Sequence, residues 1–236
     1  MRNRLNFELK RKRTKMDFLA DTIRLPRLTK IQPTLFSTLL KGIEEAGELS
    51  REILCLVDQE EKKEATGETI HRIASELLDV GQTCVTMIFV FESEKGIQVD
   101  ELVKVHLLKL REKGYSYEET EDYQVTSKGN WKLLKLPKLK IPGLTLLLTV
   151  AKIQEEFGEL TQFLGKGTGA SGEKEELQDP KAWEGAVFEL LDIAQCCFTM
   201  MYLLADQYQL NLSLMLEEHI EKLIKRGYCE PYRIAE

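Results

Sequence analysis

The chain repeats itself, and that repetition constrains its fold more than any other feature. Leu25-Pro26-Arg27-Leu28 returns as Leu136-Pro137-Lys138-Leu139, and Glu44-Glu45-Ala46-Gly47-Glu48-Leu49 returns as Glu155-Glu156-Phe157-Gly158-Glu159-Leu160, both 111 residues later. Glu76-Leu77-Leu78-Asp79 returns as Glu189-Leu190-Leu191-Asp192, now 113 residues later. His106, Lys109, Leu110, Gly114 and Tyr115 keep this second spacing as His219, Lys222, Leu223, Gly227 and Tyr228. The added residues fall between the two acidic motifs, where residues 58–68 and 165–180 are unrelated in sequence. Loops absorb such changes in length and helix interiors do not. One supersecondary unit has been duplicated, and the residues kept in both copies mark what that unit cannot lose.

The repeat divides the chain into a basic tail over residues 1–20, a first unit over 21–115, a linker over 116–135 and a second unit over 136–236. The linker is polar and acidic and turns at Gly129-Asn130. Within the first unit, Leu35, Leu39, Ile43, Ala46, Leu49, Ile53 and Leu56 recur at helical spacing. Further helices are predicted over 70–91 and 99–113, the latter stopped by Gly114. The second unit predicts helices over 144–164, 181–208 and 212–226. Few strand signals survive, so the expected class is all-α. The second helix of the first unit is apolar almost all round from Val80 to Phe91 and must be buried on most sides. One three-helix unit covers it poorly, whereas two units packed on their central helices cover it well. The expected architecture is therefore an intramolecular pseudo-dimeric helix bundle.

Composition narrows the function. A net charge of −6 gives no electrostatic reason to expect nucleic acid as a partner. No uninterrupted apolar stretch reaches the roughly 20 residues that span a bilayer, so no membrane partner is expected either. The first fifteen residues are basic but lack the apolar core of a secretory signal. None of the five cysteines forms a C-x-x-C pair, and Cys84, Cys196 and Cys197 lie in apolar runs. That usage fits buried free thiols in a reducing compartment, and the cytoplasm is the expected location.

Acidic residues fill 39 positions, so acid-acid-x-x-acid arises by chance, as at Glu60–Glu64, Glu118–Asp122, Glu175–Asp179 and Glu217–Glu221. Context separates Glu44, Glu45 and Glu48, with Glu155, Glu156 and Glu159, from these. Each set lies on an amphipathic helix, recurs in the duplication, and is followed by Glu-Leu-Leu-Asp on a strongly apolar helix. Glu76 and Asp79, like Glu45 and Glu48, are three apart and share a helical face. Two antiparallel helices can thus aim four or five carboxylates at one point. Acids on so apolar a helix are costly to bury unless paired or metal-bound. Lys41, Arg51 and Lys152 are too few to neutralise them. Oxygen-only ligands select Mg²⁺, with Mn²⁺ as a substitute, over zinc.

Glu-Glu-x-x-Glu, a loop, then Glu-x-x-Asp resembles the all-α MazG-like nucleoside triphosphate pyrophosphohydrolases. The closing His-x-x-Lys-Leu-x-x-(Lys/Arg)-Gly-Tyr, at 106–115 and 219–228, is also similar to the end of many such proteins. The resemblance covers residues 25–115 and 136–228. It implies hydrolysis of a nucleoside triphosphate between its α and β phosphates, and it fits house-cleaning of non-standard nucleotides. It further implies one magnesium site at Glu45, Glu48, Glu76 and Asp79 and another at Glu156, Glu159, Glu189 and Asp192. Glu44 and Glu155 would then orient or deprotonate the attacking water. The family works as dimers or tetramers of one unit. A fused pair departs from that pattern and leaves room for a homodimer of the whole chain.

Other recurrent residues have two readings. Lys109, Lys113, Lys222 and Arg226 fit triphosphate oxygens, or solvated helix ends favoured by the helix dipole. His106 and His219 read as partners of nearby carboxylates rather than catalysts. Gly165-Lys166-Gly167-Thr168-Gly169 reads as a loop or lid, and Trp183 as buried in a helix pair. Two other function classes stay open. One is a catalytically silent nucleotide- and metal-binding regulatory module of the same fold, the other a helical interaction protein with an acidic surface.

Overall fold

A computed structural model describes residues 22–62, 66–117, 123–170, 172 and 180–230. The basic tail and the acidic runs at 118–122 and 175–179 lie outside the described residues. The chain is mostly helical. The first unit holds α1 (Leu35–Lys62), α2 (Gly67–Val90, continued by a wider π-turn over Phe91–Lys95) and α3 (Val99–Glu112). The second holds α4 (Leu146–Thr168), α5 (Pro180–Tyr208) and α6 (Leu212–Lys225). These are the six helices that the apolar spacing predicts. The starts are capped: Thr66 accepts from the Thr69 N–H, Thr145 from that of Leu148, and Asn211 from that of Leu214. The glycine run at 165–168 is not a loop but the last turn of α4, which ends at Gly169 in the left-handed region.

The linker is not structureless. β2 (Gln124–Lys128) and β3 (Trp131–Lys135) form a hairpin about Gly129-Asn130, and β1 (Ile23–Pro26) pairs with β3 to give an antiparallel sheet of order β1-β3-β2. The all-α expectation is corrected to that extent. β3 hides its strand character because its inward positions are Lys132 and Leu134. A buried lysine breaks the apolar alternation, and it is tolerated because its Nζ donates to Glu92 and, at 2.7 Å, to Ser127 Oγ. Ile23 and Leu134, equivalent in the duplication, face each other across β1 and β3.

Within each unit the first two helices pair, α1 on α2 and α4 on α5. Between units, α1 packs on α4 and α2 on α5. The third helices cross over: α3 packs on α5 of the other unit, and α6 on α2. Large and small residues are exchanged between the copies to keep this packing filled. A Cβ on Gly42 would meet the Phe157 ring at 2.5 Å, while Ile153 and Ala46 stand at the equivalent positions. Glu52 is bonded by Arg72 at 2.9 Å; the second copy has Phe163 packed against Gly185 instead. Trp183 lies over Gly167, where the first copy has Ile70 and Leu56, and its ring meets Phe91 edge-on at 6.5 Å. The segments Gly67–Lys95 and Lys181–Tyr208 are long and apolar enough to cross a membrane, but most of each is buried inside the protein. All five thiols are free.

Candidate functional site

Helix pairing turns the acidic motifs into two clusters. Glu45 on α1 meets Glu76 and Asp79 on α2, and one carboxylate oxygen from each lies within 4.8 Å of the others. Glu156 on α4 meets Glu189 and Asp192 on α5 in the same way. Glu45 and Glu156 are only 5% and 2% exposed. Glu48 is half-buried and Glu159 exposed, and neither joins the converging oxygens. Both stand near enough for their charge to act on the acids that do. Glu44 and Glu155 stay on the exposed rim, held by Lys41 at 3.1 Å and Lys152 at 2.9 Å.

Crowding and burial show in the ionisation. Burial, reinforced by Asp79, Glu48 and Glu45, pushes Glu76 up to about 7. Burial, a hydrogen bond with Glu156 and the charge of Asp192 push Glu189 up to about 8. Burial also raises Glu45, against the hydrogen bond from Lys41. Lys41 and Lys152 reach Glu45 and Glu156 at 2.6 and 2.7 Å. Among the described residues no basic side chain pairs with Glu76 or Glu189. A cluster of carboxylates short of counter-charge, with no nitrogen or sulfur donor among its converging atoms, suits a hard divalent cation.

The remaining partners come from the opposite unit. His219 Nδ1 lies 3.3 Å from Asp79, and Lys222 bonds the same carboxylate. His106 Nδ1 lies 3.5 Å from Asp192, and Lys113 Nζ 3.8 Å from it. Both histidines therefore face a carboxylate, as their sequence context predicts. Burial, with the charges of Lys109 and Lys113, holds His106 down to about 4. The two centres are not identical. Burial, the largest influence on Asp79, would raise it, but His219 and Lys222 outweigh burial and hold it below its ordinary range. At Asp192 burial prevails and the carboxyl is raised. Lys109, the counterpart of Lys222, sits over the Phe188 ring at 3.9 Å instead of on the aspartate. Ser75 occupies the position of Phe188 in the first copy and offers no such ring.

A cavity opens beside each cluster, of about 330 Å³ in the first and 230 Å³ in the second. Their walls correspond. Thr38, Lys41, Glu45, Asp79, Gln82 and Thr86 line one; Thr149, Lys152, Glu156, Asp192, Gln195 and Thr199 line the other. The opposite unit closes each, with Leu223, Arg226 and Tyr228 in the first and Leu110, Lys113 and Tyr115 in the second. The closing motif explains how. Gly114 and Gly227 take φ of 85° and 73°, so the N–H groups of Tyr115 and Tyr228 turn back to the carbonyls of Leu110 and Leu223 at 3.0 Å. This cap swings each tyrosine into its cavity wall.

No family model, curated protein or solved structure matches the chain. The site is therefore read from its own chemistry. Lys41 and Lys152, noted in the sequence as nearby bases, form the salt bridges to Glu45 and Glu156. One pair at the site was not singled out from sequence: Gln82 and Gln195 lie one helical turn beyond the aspartates. That pair keeps the repeat spacing, which was the available signal.

Proposed function

We propose that the chain is a Mg²⁺-dependent nucleoside triphosphate pyrophosphohydrolase, converting a triphosphate and water to a monophosphate and pyrophosphate at two sites, with non-standard nucleotides as its substrates. The observation that carries this reading is half-buried Glu76 and buried Glu189, with which no described basic side chain pairs, each inside a triad that opens onto a cavity edged by basic residues. Mn²⁺ fits the same donors. A divalent ion would neutralise phosphoryl charge there and polarise the oxygens.

In the first site Glu45, Glu76 and Asp79 hold the ion, and Glu48 one turn along adds charge. Glu156, Glu189, Asp192 and Glu159 do the same in the second. Lys222 and Arg226 face the triphosphate of the first site, and Lys109 and Lys113 that of the second. The oxygen of a water bonds the α-phosphorus, and the bond from that phosphorus to the α–β bridging oxygen breaks. Pyrophosphate leaves with the electron pair. The rim carboxylates Glu44 and Glu155 take the proton of the attacking water. The reciprocal packing of α3 and α6 supports reading the chain as an intramolecular pseudo-dimer of MazG-like units.

The test is product analysis of a panel of standard and modified triphosphates with Mg²⁺, Mn²⁺ or EDTA. Monophosphate and pyrophosphate formed only with metal are the expected products. Diphosphate and phosphate would overturn cleavage at the α–β position. Metal-dependent nucleotide binding without turnover would leave the silent regulatory module.

A further inference from the structure

Gln82 and Gln195 carry a polar atom that none of the described residues satisfies. Both side chains are buried, at 4% and 3% exposure, and both line the cavities beside the carboxylate triads. Each spends its amide nitrogen on the protein: Gln82 Nε2 donates to the Pro26 carbonyl at 2.9 Å, and Gln195 Nε2 to that of Pro137 at 2.9 Å. Gln82 Nε2 also lies 3.4 Å from Thr86 Oγ1. The Oε1 atom of each is almost wholly covered and has no partner among the described residues. An amide flip cannot resolve this, because the proline carbonyls only accept and so fix which end is nitrogen. The same arrangement occurs in both copies, which makes it a property of the unit and not an accident of one loop.

We propose that each glutamine is the acceptor for an N–H group of the bound ligand, so that the cavities take a nucleobase and require a hydrogen-bond donor on it. This inference rests on the nucleotide reading of the site. Asp79 and Gln82 are three apart on α2, which sets the acceptor about 5 Å along the helix from the metal ligand. A triphosphate on the carboxylates therefore carries its base toward Gln82, beside Tyr228 of the opposite unit. The duplicated Leu-Pro-x-Leu has a function in this account: its proline carbonyl holds the glutamine as an acceptor. A ligand that brings the N–H relieves a penalty the free protein already carries, which favours it by about 10- to 100-fold in affinity over one that does not.

The experiment uses the full chain with Mg²⁺ and α,β-imido triphosphates, which bind without cleavage at that link, measured by titration calorimetry. Adenosine is compared with purine riboside and cytidine with 2-pyrimidinone riboside, since each second member lacks the amine without added bulk. Uridine and guanosine are compared with their N3- and N1-methyl forms. The wild type should bind its preferred base about 10- to 100-fold more tightly than the donor-less counterpart. Gln82→Met/Gln195→Met should reduce that ratio to about threefold or less while inorganic tripolyphosphate binds unchanged. Equal binding of the members of every pair by the wild type overturns the proposal without need of a variant, as would be seen if only a water met Oε1. An unchanged ratio in the variant also overturns it. Metal-dependent pyrophosphate release that persists in either case leaves the proposed activity standing and removes only the role of the glutamines. Discrimination without release does the reverse.

Discussion

Removing the counter-charge from the triads should make the metal-free protein less stable as pH rises toward 8, and Mg²⁺ should reverse the loss. Glu76 and Glu189, ordinarily near 4.5, ionise in the folded chain at about 7 and 8. Between the ordinary and the raised value the folded state binds a proton that the unfolded state has lost. Stability from these groups is therefore fully present below about 4.5 and falls as pH climbs through the raised values. His106 acts in the opposite sense, because its folded form stays neutral down to about 4 while the unfolded imidazole charges below 6.5. The histidine masks the carboxylates below pH 6.5, so the clean window is pH 6.5 to 8. There Glu189 acts throughout and Glu76 over the lower part. At about 1.4 kcal/mol per pH unit for each group, the pair would remove about 3 kcal/mol in a dry site. Water reaching half-buried Glu76 and the cavity beside Glu189 reduces this to about 1 to 1.5 kcal/mol. For a chain of this size that is a fall of roughly 2 to 6 °C in melting temperature. Calorimetric melting in EDTA from pH 6.5 to 8 should show the fall, and saturating Mg²⁺ should stabilise more at pH 8 than at pH 6.5. Glu76→Gln/Glu189→Gln should flatten the profile in EDTA. A metal-free melting temperature that rises across this window, or a Mg²⁺ effect independent of pH, would refute the reasoning.

Two further predictions concern packing. Gly81→Ala should stabilise by about 0.5–1 kcal/mol in denaturant unfolding, because the new methyl meets Leu25 at 3.7 Å and a helix interior disfavours glycine. The second unit already carries Ala194 at that place. Gly42→Ala should destabilise by about 1–3 kcal/mol, since its Cβ would lie 2.5 Å from the Phe157 ring at the α1–α4 crossing. Phe157→Leu should relieve part of that cost, which urea titration of the double variant would show.

Much of this was legible in the sequence because two copies serve as mutual controls. All six helices follow from apolar spacing, and Glu45, Glu76 and Asp79 stand out from chance acid runs because Glu156, Glu189 and Asp192 repeat them. What the sequence hid depends on contacts between units. His219 and Lys222 serve Asp79, and His106 and Lys113 serve Asp192, yet proximity along the chain suggests the opposite assignment. The strands were hidden because Lys132, an inward residue of β3, is compensated by Glu92 from 40 positions earlier. Glu44 and Glu48 illustrate the limit of periodicity. Glu48 is three from Glu45 and four from Glu44, so spacing links all three, but the rotation of α1 in the pair turns Glu45 inward and leaves Glu44 on the rim. Gln82 and Gln195 recur at the repeat spacing, but their role emerges only when the proline carbonyls are seen to occupy their amides.

The most direct test of the account is pyrophosphate release by crossed double variants. Asp79→Asn disables the first site and His219→Ala perturbs that same site from the other unit, so together they should leave about half of the wild-type rate. Asp79→Asn with His106→Ala puts both lesions in the first unit but one in each site. It should fall to about a tenth or less, given the 10- to 100-fold cost of losing a residue that orients a metal ligand. That inequality is the prediction. Equal rates for the two variants, or the greater loss in Asp79→Asn/His219→Ala, would contradict sites built crosswise from the two repeats.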